Sequence, residues 1–262
     1  RSLPNIIDFY SLAEFNPGGI SCGKRAAFSI ATEASSIKAG NVHPGASFPN
    51  MTFSNFVAAA EAIGNAIDFS EARLGSIILA ATRSMMEAAG VNTSLGTILL
   101  IAPICLCARS SLPMGRSSNG AASWSREIFH EQVSSVIAES SAAECEMIYG
   151  AIRLANPGGM GTSHAEDVYS SPSVGILDAM RLAAARDDVA LQYCNGYLEV
   201  VRLTEQILAD CGTQRPLEND GVFLRLNESI RRLQIELLAV RPDSLIVRKY
   251  GREVGAEVSS RA

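Results

Sequence analysis

Apolar residues recur at the three- and four-residue spacing of an α-helix along almost all of this 262-residue chain. No stretch alternates apolar and polar residues between turn dipeptides, which is the pattern of a half-buried strand. Aromatic residues make up only 6% of the sequence, which agrees with this interpretation. We therefore predict an all-α fold, a compact single-domain array of about nine or ten helices.

Short polar side chains and glycines mark the expected helix ends. Thr52, Ser123 or Ser125, and Ser173 are expected N-caps, because a side-chain oxygen can accept a hydrogen bond from the free amides of a first turn. The expected helix stops are Gly40, Gly90 and Gly212. The predicted helices cover residues 22–37, 52–69, 71–89, 93–108, 125–139, 142–155, 173–186, 188–211 and 219–240.

The domain organisation is expected to be simple. We assign residues 1–240 to one all-α domain of catalytic type and residues 241–262 to a polar C-terminal tail, either a docking arm or a frayed end. Alanine-rich faces at 58–60 and 183–185 permit helices to approach closely. Together with the apolar final helix, these faces would suit a homodimer.

Charge and hydropathy exclude several partners. Acidic residues outnumber basic residues 27 to 22, giving a formal net charge of -5, so no global positive field recruits DNA or RNA. The longest apolar run, 97–108, covers about a dozen residues, whereas a membrane-spanning helix needs roughly twenty. Asp8 and Glu14 lie where a signal peptide would be apolar. We expect neither nucleic acid nor membrane as a partner, and a cytoplasmic location.

The six cysteines are scattered through apolar stretches instead of following the regular spacing of a disulfide framework. We therefore expect them to be reduced and buried. Cys105 and Cys107 form a C-x-C pair with no second pair and no nearby histidine. A structural zinc site is accordingly not expected.

Polar groups converge at the end of the first predicted helix. Residues 33–51 read EASSIKAGNVHPGASFPNM, which combines a carboxylate, a lysine and a histidine with three glycine or proline turns. The plainest interpretation is structural, with Gly40 in the left-handed position after a helix and Lys38 placed favourably against the helix dipole. The alternative is a ligand-binding loop.

A second polar block separates two predicted helices. Residues 90–96 read GVNTSLG, where the free amides of a new helix and the side chains of Asn92 and Thr93 are available to an anion. Apolar residues follow at once, so a phosphate bound here would lie deep in the molecule. Helix capping by Asn92 or Thr93 is the competing interpretation.

A glycine-rich block follows the helix predicted over 142–155. Residues 156–168 read NPGGMGTSHAEDV, a loop whose amides can wrap phosphates and whose side-chain oxygens can hold Mg²⁺. It is neither a Walker loop nor a dinucleotide fingerprint, because the required residues and the preceding strand are missing. A structural turn is the alternative. Residues 110–122 form another loop, expected to be a solvated crossover or a lid.

A charged group lies at a predicted helix junction. Arg186, Asp187 and Asp188 follow one another there, and Asp188 shares a helix face with Gln192. A solvated charged face is one interpretation. A phosphate- and metal-binding group is the other.

Taken together, three of these blocks resemble the triphosphoribosyl-dephospho-CoA synthase family. They are E-x-x-x-I-K-A-G-N-V-H at 33–43, GVNTSLG at 90–96 and PGGMG at 157–161, and their order and spacing agree over 22–205. The resemblance implies an all-α enzyme that joins ATP to 3'-dephospho-CoA, releases adenine and leaves a triphosphoribosyl group on the ribose 2'-hydroxyl. Such a product is the precursor of an acyl-carrier prosthetic group.

The blocks depart from the family pattern at charged positions. The usual P-K-P-G-L-V-D appears as IKAGNVH, in which Lys38 and Gly40 match and His43 replaces the acid. The usual G-A-H-x-D-M is stretched to GASFPNM, with Asn50 near the acidic position. The usual G-x-N-T-H-K-G lacks its lysine here. We interpret the chain as a divergent branch of the family.

The implied reaction sets the expected roles. Cleavage of an N-glycosidic bond develops positive charge at the ribose carbon, which calls for a carboxylate, a cation for the phosphates and a base. Glu33 and Asp167 are the candidate carboxylates, Lys38 is the candidate cation, and His43 is the candidate base because imidazoles titrate near neutral pH. With ATP as substrate, Mg²⁺ is expected, held by Glu33, Asp167 or Asp187. The expected nucleotide-binding residues are Gly40, Asn41, Asn50, Asn92, Thr93, Gly158, Gly159 and Arg186.

Two alternative functions stand beside this one. The first is a related phosphoribosyl or nucleotidyl transfer in another cofactor pathway, such as pterin-linked one-carbon metabolism. The second is a non-catalytic helical module that binds a nucleotide, suggested by the missing family acid and lysine.

Overall fold

The computed structural model describes residues 20–109, 125–158, 166–212 and 219–262. Within these ranges the chain forms twelve α-helices and no β-strand, which confirms the all-α prediction and slightly exceeds the expected helix number. The predicted lid at 110–122 lies outside the described residues, as do Gly159 and His164.

The helices follow one another in this order: α1 (Cys22–Ser35), α2 (Phe53–Phe69), α3 (Leu74–Ala89), α4 (Leu95–Arg109), α5 (Arg126–Ala138), α6 (Ala142–Ala155), α7 (Ile176–Ala183), α8 (Asp188–Asn195), α9 (Leu198–Gly212), α10 (Asn219–Val240), α11 (Ser244–Tyr250) and α12 (Arg252–Arg261). The predicted N-caps Thr52 and Ser125 immediately precede α2 and α5, and Gly90 ends α3 in the left-handed conformation.

Helix α3 lies at the centre of the core and packs against α2, α4 and α6. Two pairs of helices in this core, α1 with α2 and α3 with α6, approach closely because a glycine lies at each contact. A Cβ atom on Gly64 of α2 would lie 2.5 Å from the carbonyl oxygen of Gly23 in α1. One on Gly75 of α3 would lie 2.7 Å from the carbonyl oxygen of Glu144 in α6. These helix pairs can adopt their spacing only with no side chain at these positions.

The single helix predicted over 188–211 is divided into α8 and α9. The chain breaks at Gly196 and Tyr197, whose φ angles are 63° and 65°. The Nδ1 atom of His130 on α5 lies 2.8 Å from the carbonyl oxygen of Gly196 and hydrogen-bonds to it. Residue 196 therefore needs both a left-handed backbone and room for an imidazole ring, and glycine meets both requirements.

The predicted C-terminal tail contains α11 and α12, so the polar segment is folded. Asp243 caps α11, since its Oδ1 accepts a hydrogen bond from the amide of Ile246 at 2.8 Å. The hydroxyl of Ser259 on α12 donates to the carbonyl of Leu238 on α10 at 2.6 Å. The bond from Ser259 fastens the segment to the preceding helix. The domain boundary at residue 240 stays a prediction.

Two further sequence expectations concern cysteines and membranes. Five cysteines whose side chains the structure describes are free thiols: Cys105, Cys107 and Cys145 are buried, and Cys22 and Cys194 are partly exposed. The expectation of reduced cysteines therefore holds for these five, whereas complete burial holds for three. In the described part of the chain, no helix combines the length and the hydropathy of a membrane span.

Candidate active site

Lys38 and Glu33 form an ion pair at the end of α1. The Lys38 side chain is only 4% exposed, whereas that of Glu33 is 46% exposed. The Lys38 ammonium donates to the Glu33 carbonyl at 2.9 Å and also pairs with Glu33 Oε1. The sequence-based placement of Lys38 at a helix C-terminus is confirmed, but α1 ends at Ser35, so the expectation that Gly40 stops this helix is wrong. Gly40 adopts a φ of +73° in the turn that follows.

The loop after Lys38 is closed by backbone hydrogen bonds. The amide of Asn41 donates to the carbonyl of Lys38 at 3.3 Å, and His43 and Ala46 exchange two hydrogen bonds of 3.0 Å. The Nδ1 atom of His43 accepts a hydrogen bond from the amide of Gly45 at 3.1 Å. In a neutral ring this bond places the proton on Nε2. His43 therefore has a free lone pair for a base only when the bond from Gly45 is broken.

Helix α10 covers the same loop. The hydroxyl of Ser36 hydrogen-bonds to Oδ1 of Asn227, and Nε2 of Gln234 donates to the carbonyl of Ala39 at 3.3 Å. The loop carrying Lys38 is thus held on one side by its own turn and on the other by α10. The local sequence pattern does not predict these contacts, because they join residues almost 200 positions apart.

At the 90–96 block the structure favours capping. Oδ1 of Asn92 accepts a hydrogen bond from the amide of Leu95 at 3.1 Å, and the Ser94 amide donates to the Met85 sulfur at 3.3 Å. These bonds occupy two of the amides that the sequence offered to an anion. The hydroxyl of Thr93 accepts from that of Ser94 at 3.2 Å. A phosphate contact by Asn92 or Thr93 stays a prediction.

Asn50 lies far from this block along the chain and is held in a separate turn. It is exposed within the turn closed by Phe48 and Met51. At the adjoining start of α2, Nδ2 of Asn55 donates to the carbonyl of Ala89 at 3.0 Å. The turn of Asn50 and the start of the 90–96 block are therefore neighbours.

The C-terminal end of α6 holds the far side of the glycine-rich block. The hydroxyl of Tyr149 donates to the Glu166 carbonyl at 2.9 Å, and the Arg153 guanidinium donates to the Val168 carbonyl at 2.6 Å. Burial raises the pKa of Tyr149, so its hydroxyl stays protonated as a donor. Asp167 is consequently fixed beside the last turn of α6.

Asp187 serves as a structural anchor. Its Oδ1 accepts a hydrogen bond from the amide of Ala190 at 3.0 Å, which caps α8, and its Oδ2 lies 3.6 Å from the Arg248 guanidinium. Asp188 pairs with Arg241 at 3.0 Å. Both acids therefore connect the start of α8 to the C-terminal segment, instead of forming the solvated face that sequence analysis considered.

The starts of α4 and α8 are adjacent. The Cβ position of Gly96 lies 3.8 Å from Cγ2 of Val189. Arg186 precedes α8, is exposed, and donates to the carbonyl of Leu182 at 3.2 Å. The 90–96 block and the 186–188 group, distant in sequence, thus lie on one part of the surface.

The C-terminal helices connect the candidate segments. Gln234 of α10 contacts Ala39, and Arg248 of α11 contacts Asp187. Lys249, also on α11, has its Cε atom 3.5 Å from the Cβ position of Gly158. Most of this region falls in the segment predicted as a C-terminal tail. The sequence feature that could have drawn attention to Lys249 is the rarity of lysine. The chain has three lysines, Lys24, Lys38 and Lys249.

A preformed metal centre is not evident in the described ranges, where no three His, Cys, Asp or Glu side chains gather at metal-binding distances. Glu33, Asp167 and Asp187 are therefore separate candidates. Asp187 has both oxygens engaged, and Oδ1 of Asp167 accepts from the amide of Tyr169 at 2.8 Å. Glu33 offers a half-exposed carboxylate with its Oε1 paired to Lys38.

These features define an all-α protein whose candidate site is built from charged loops at helix ends. Residues 21–262 match the model of the CitG family, described as ATP:dephospho-CoA triphosphoribosyl transferase, and the chain belongs to this family. It is accordingly a transferase that acts on ATP and dephospho-CoA. The resemblance inferred from the sequence is confirmed, and the match includes the C-terminal helices. No curated protein and no solved structure matches the chain.

Proposed function

We propose that this chain transfers the triphosphoribosyl group of ATP to the ribose 2'-hydroxyl of 3'-dephospho-CoA, with the Glu33 carboxylate beside the reacting ribose. The N-glycosidic bond of ATP breaks, a bond forms between the ribose carbon and the 2'-oxygen, and the hydroxyl proton is balanced by the proton that adenine takes up. The observation that carries this assignment is the buried Lys38 ammonium, which fixes the half-exposed Glu33 carboxylate.

The two charges have different tasks. A carboxylate near the ribose stabilises the positive charge that develops as adenine departs, and it does so best when its orientation is fixed in advance. Lys38 supplies that orientation through its bonds to the Glu33 carboxylate and carbonyl. Because its side chain is buried, Lys38 acts as a positioning residue in this proposal, instead of contacting phosphate as the sequence suggested.

Magnesium fits this arrangement as a companion of ATP. Mg²⁺ is usually bound through one or two carboxylates together with substrate phosphates and water, so a preformed cluster is not required. Glu33 suits this need better than Asp187, whose oxygens are engaged by Ala190 and Arg248. Bound Mg²⁺ would neutralise phosphate charge. Asp167 stays a second candidate at the end of α6.

His43 is proposed as the base that accepts the hydroxyl proton. Its Nδ1 atom must first release the Gly45 amide, which lies two residues away in an exposed turn. Gly40, Asn41 and the other predicted nucleotide-binding residues stay proposals of the same kind. The same applies to a cytoplasmic location, to a homodimer and to the exclusion of nucleic acid as a partner.

Adenine release tests the proposal. The purified chain is incubated with ATP and Mg²⁺, with and without dephospho-CoA, and free adenine is measured. Release that requires dephospho-CoA supports the transfer. Binding of ATP without adenine release would instead favour the non-catalytic module, and adenine release with another acceptor would favour transfer in a different cofactor pathway.

A further inference from the structure

Lys249 is an exposed lysine placed against the glycine-rich block. It lies in the last turn of α11, and its Cε atom is 3.5 Å from the Cβ position of Gly158. Gly158 is exposed as well and has no side chain that would cover the lysine. The Lys249 side chain therefore lies at Gly158, a described residue of the segment for which the sequence offers either phosphate binding or a structural turn.

Two neighbouring cations of the C-terminal segment, Arg241 and Arg248, are already paired with acids. Arg248 faces Asp187 at 3.6 Å, and Arg241 pairs with Asp188 at 3.0 Å and with Glu199 at 2.7 Å. Among the described residues Lys249 has no ion pair. Its positive charge is thus available to a ligand, whereas the adjacent guanidiniums are committed to fixing α11 and the end of α10 on α8.

The position of Lys249 is fixed by the fold. Helix α11 is capped by Asp243 at its start, and the hydroxyl of Ser244 accepts a hydrogen bond from the amide of Asp188 at 3.3 Å. Together with the Arg248 contact to Asp187, these bonds hold α11 at both ends. A lysine projected from such an anchored helix presents its charge at a defined place, which is what selective recognition of an anion requires.

The other two lysines do not offer the same chemistry. Lys38 is buried and paired with Glu33. Lys24 is exposed in the first turn of α1, where the bonds from Ser21 and Gly23 to Asp68 anchor the helix start. Lys249 is consequently the lysine whose charge is both exposed and adjacent to a candidate phosphate-binding segment.

We propose that Lys249 binds the polyphosphate chain of ATP together with the backbone at Gly158. This inference rests on the proposed function and extends it, because it names a cation for the phosphates from a helix that sequence analysis had assigned to a tail. A last-turn lysine also interacts favourably with its own helix C-terminus. That purely structural role would affect thermal stability and leave ATP affinity unchanged.

The test compares Lys249→Gln with Lys24→Gln, a matched removal of charge at another exposed helical site. Loss of a charge-assisted contact to phosphate is expected to raise the KM for ATP about tenfold or more in Lys249→Gln, with the KM for dephospho-CoA and the melting temperature nearly unchanged. Lys249→Arg is expected to recover most of the affinity. Lys24→Gln should match the unaltered chain.

Calorimetry with ATP and Mg²⁺ separates this inference from the proposed function. If the unaltered chain binds ATP but releases no adenine, the proposed transfer fails, while a weaker Kd in Lys249→Gln still supports the contact. The inference is overturned if ATP affinity is equal in the unaltered chain and Lys249→Gln. It is also overturned if only the KM for dephospho-CoA changes, or if ATP does not bind.

Discussion

The hydroxyl of Tyr193 on α8 donates a 2.7 Å hydrogen bond to the carbonyl of Leu99 in the middle of α4. That carbonyl has no helical donor, because position 103 is proline and lacks an amide hydrogen. Tyr193 is buried, so the phenol replaces the missing backbone bond where water is excluded. A helix with an internal proline is thereby completed by a side chain almost one hundred residues later.

Replacing Tyr193 with phenylalanine is expected to lower the free energy of unfolding by about 1–3 kcal/mol, because the Leu99 carbonyl is left buried without a donor. Tyr197→Phe provides the comparison. The Tyr197 hydroxyl donates to Leu100 at 3.0 Å, and that carbonyl lies four residues before Ile104, which keeps its amide hydrogen. Chemical denaturation should therefore give a smaller loss for Tyr197→Phe. Equal losses would refute the proline-specific role.

Glu33→Gln and Lys38→Met are each expected to lower the rate of adenine release at least about tenfold, equivalent to roughly 1.4 kcal/mol in the transition state. Because both changes remove the same ion pair, the double variant should lose far less than the two single losses combined. The measurement is the initial rate at saturating ATP and dephospho-CoA, with melting curves recorded on the same samples.

Asp178→Asn is the matched control for these substitutions. Asp178 pairs with Arg181 at 2.5 Å, and both side chains are more than half exposed. Removing this surface pair should leave adenine release unchanged. Full activity in Glu33→Gln with an unchanged melting temperature would remove Glu33 from the site.

The contact between α1 and α2 should tolerate no added methyl group at Gly64. Its Cβ atom would meet the Gly23 backbone at 2.5 Å, so Gly64→Ala must push the helices apart and is expected to cost about 1–3 kcal/mol. Gly96→Ala is the control, because its nearest neighbour is a methyl group at 3.8 Å and alanine favours a helix. Unfolding of the two variants by denaturant should move in opposite directions. A stabilised Gly64→Ala variant would contradict the packing described.

Stability should fall at alkaline pH through the buried thiols. Burial raises the pKa of Cys105 from the usual value near 9 to about 12. Between these values the unfolded chain binds fewer protons than the folded one, so the free energy of unfolding decreases with rising pH, by at most about 1.4 kcal/mol per pH unit for one thiol. Cys105→Ala should show a shallower decline in denaturation measured from pH 8 to 11. An identical decline would show that this thiol does not contribute.

Helical periodicity predicted most of the core, because helices α1 to α6 each bury an apolar face of at least two turns. It missed the break at Gly196 and Tyr197, where apolar spacing continues across the junction although Gly196 ends α8 in the left-handed conformation. It also missed α11 and α12, which are short and stabilised by contacts with α8 and α10. Such helices depend on tertiary partners that the local pattern does not contain.

The candidate site was only partly predictable for a similar reason. Glu33 and Lys38 lie close in sequence, so their proximity follows from the end of α1. The contacts of Gln234 with Ala39 and of Lys249 with Gly158 depend on how the last helices return to the core. The sequence therefore indicated the chemistry at the loops, whereas the helices that position them became apparent only in three dimensions.

Product identity tests the central claim most directly. The purified chain is incubated with Mg²⁺, dephospho-CoA and ATP carrying isotopic label in its ribose, and the products are analysed by mass spectrometry. We predict one free adenine for each new molecule whose mass equals ATP plus dephospho-CoA less adenine, with the label retained in that molecule. Release of diphosphate or a labelled nucleoside monophosphate, without such a conjugate, would contradict the account.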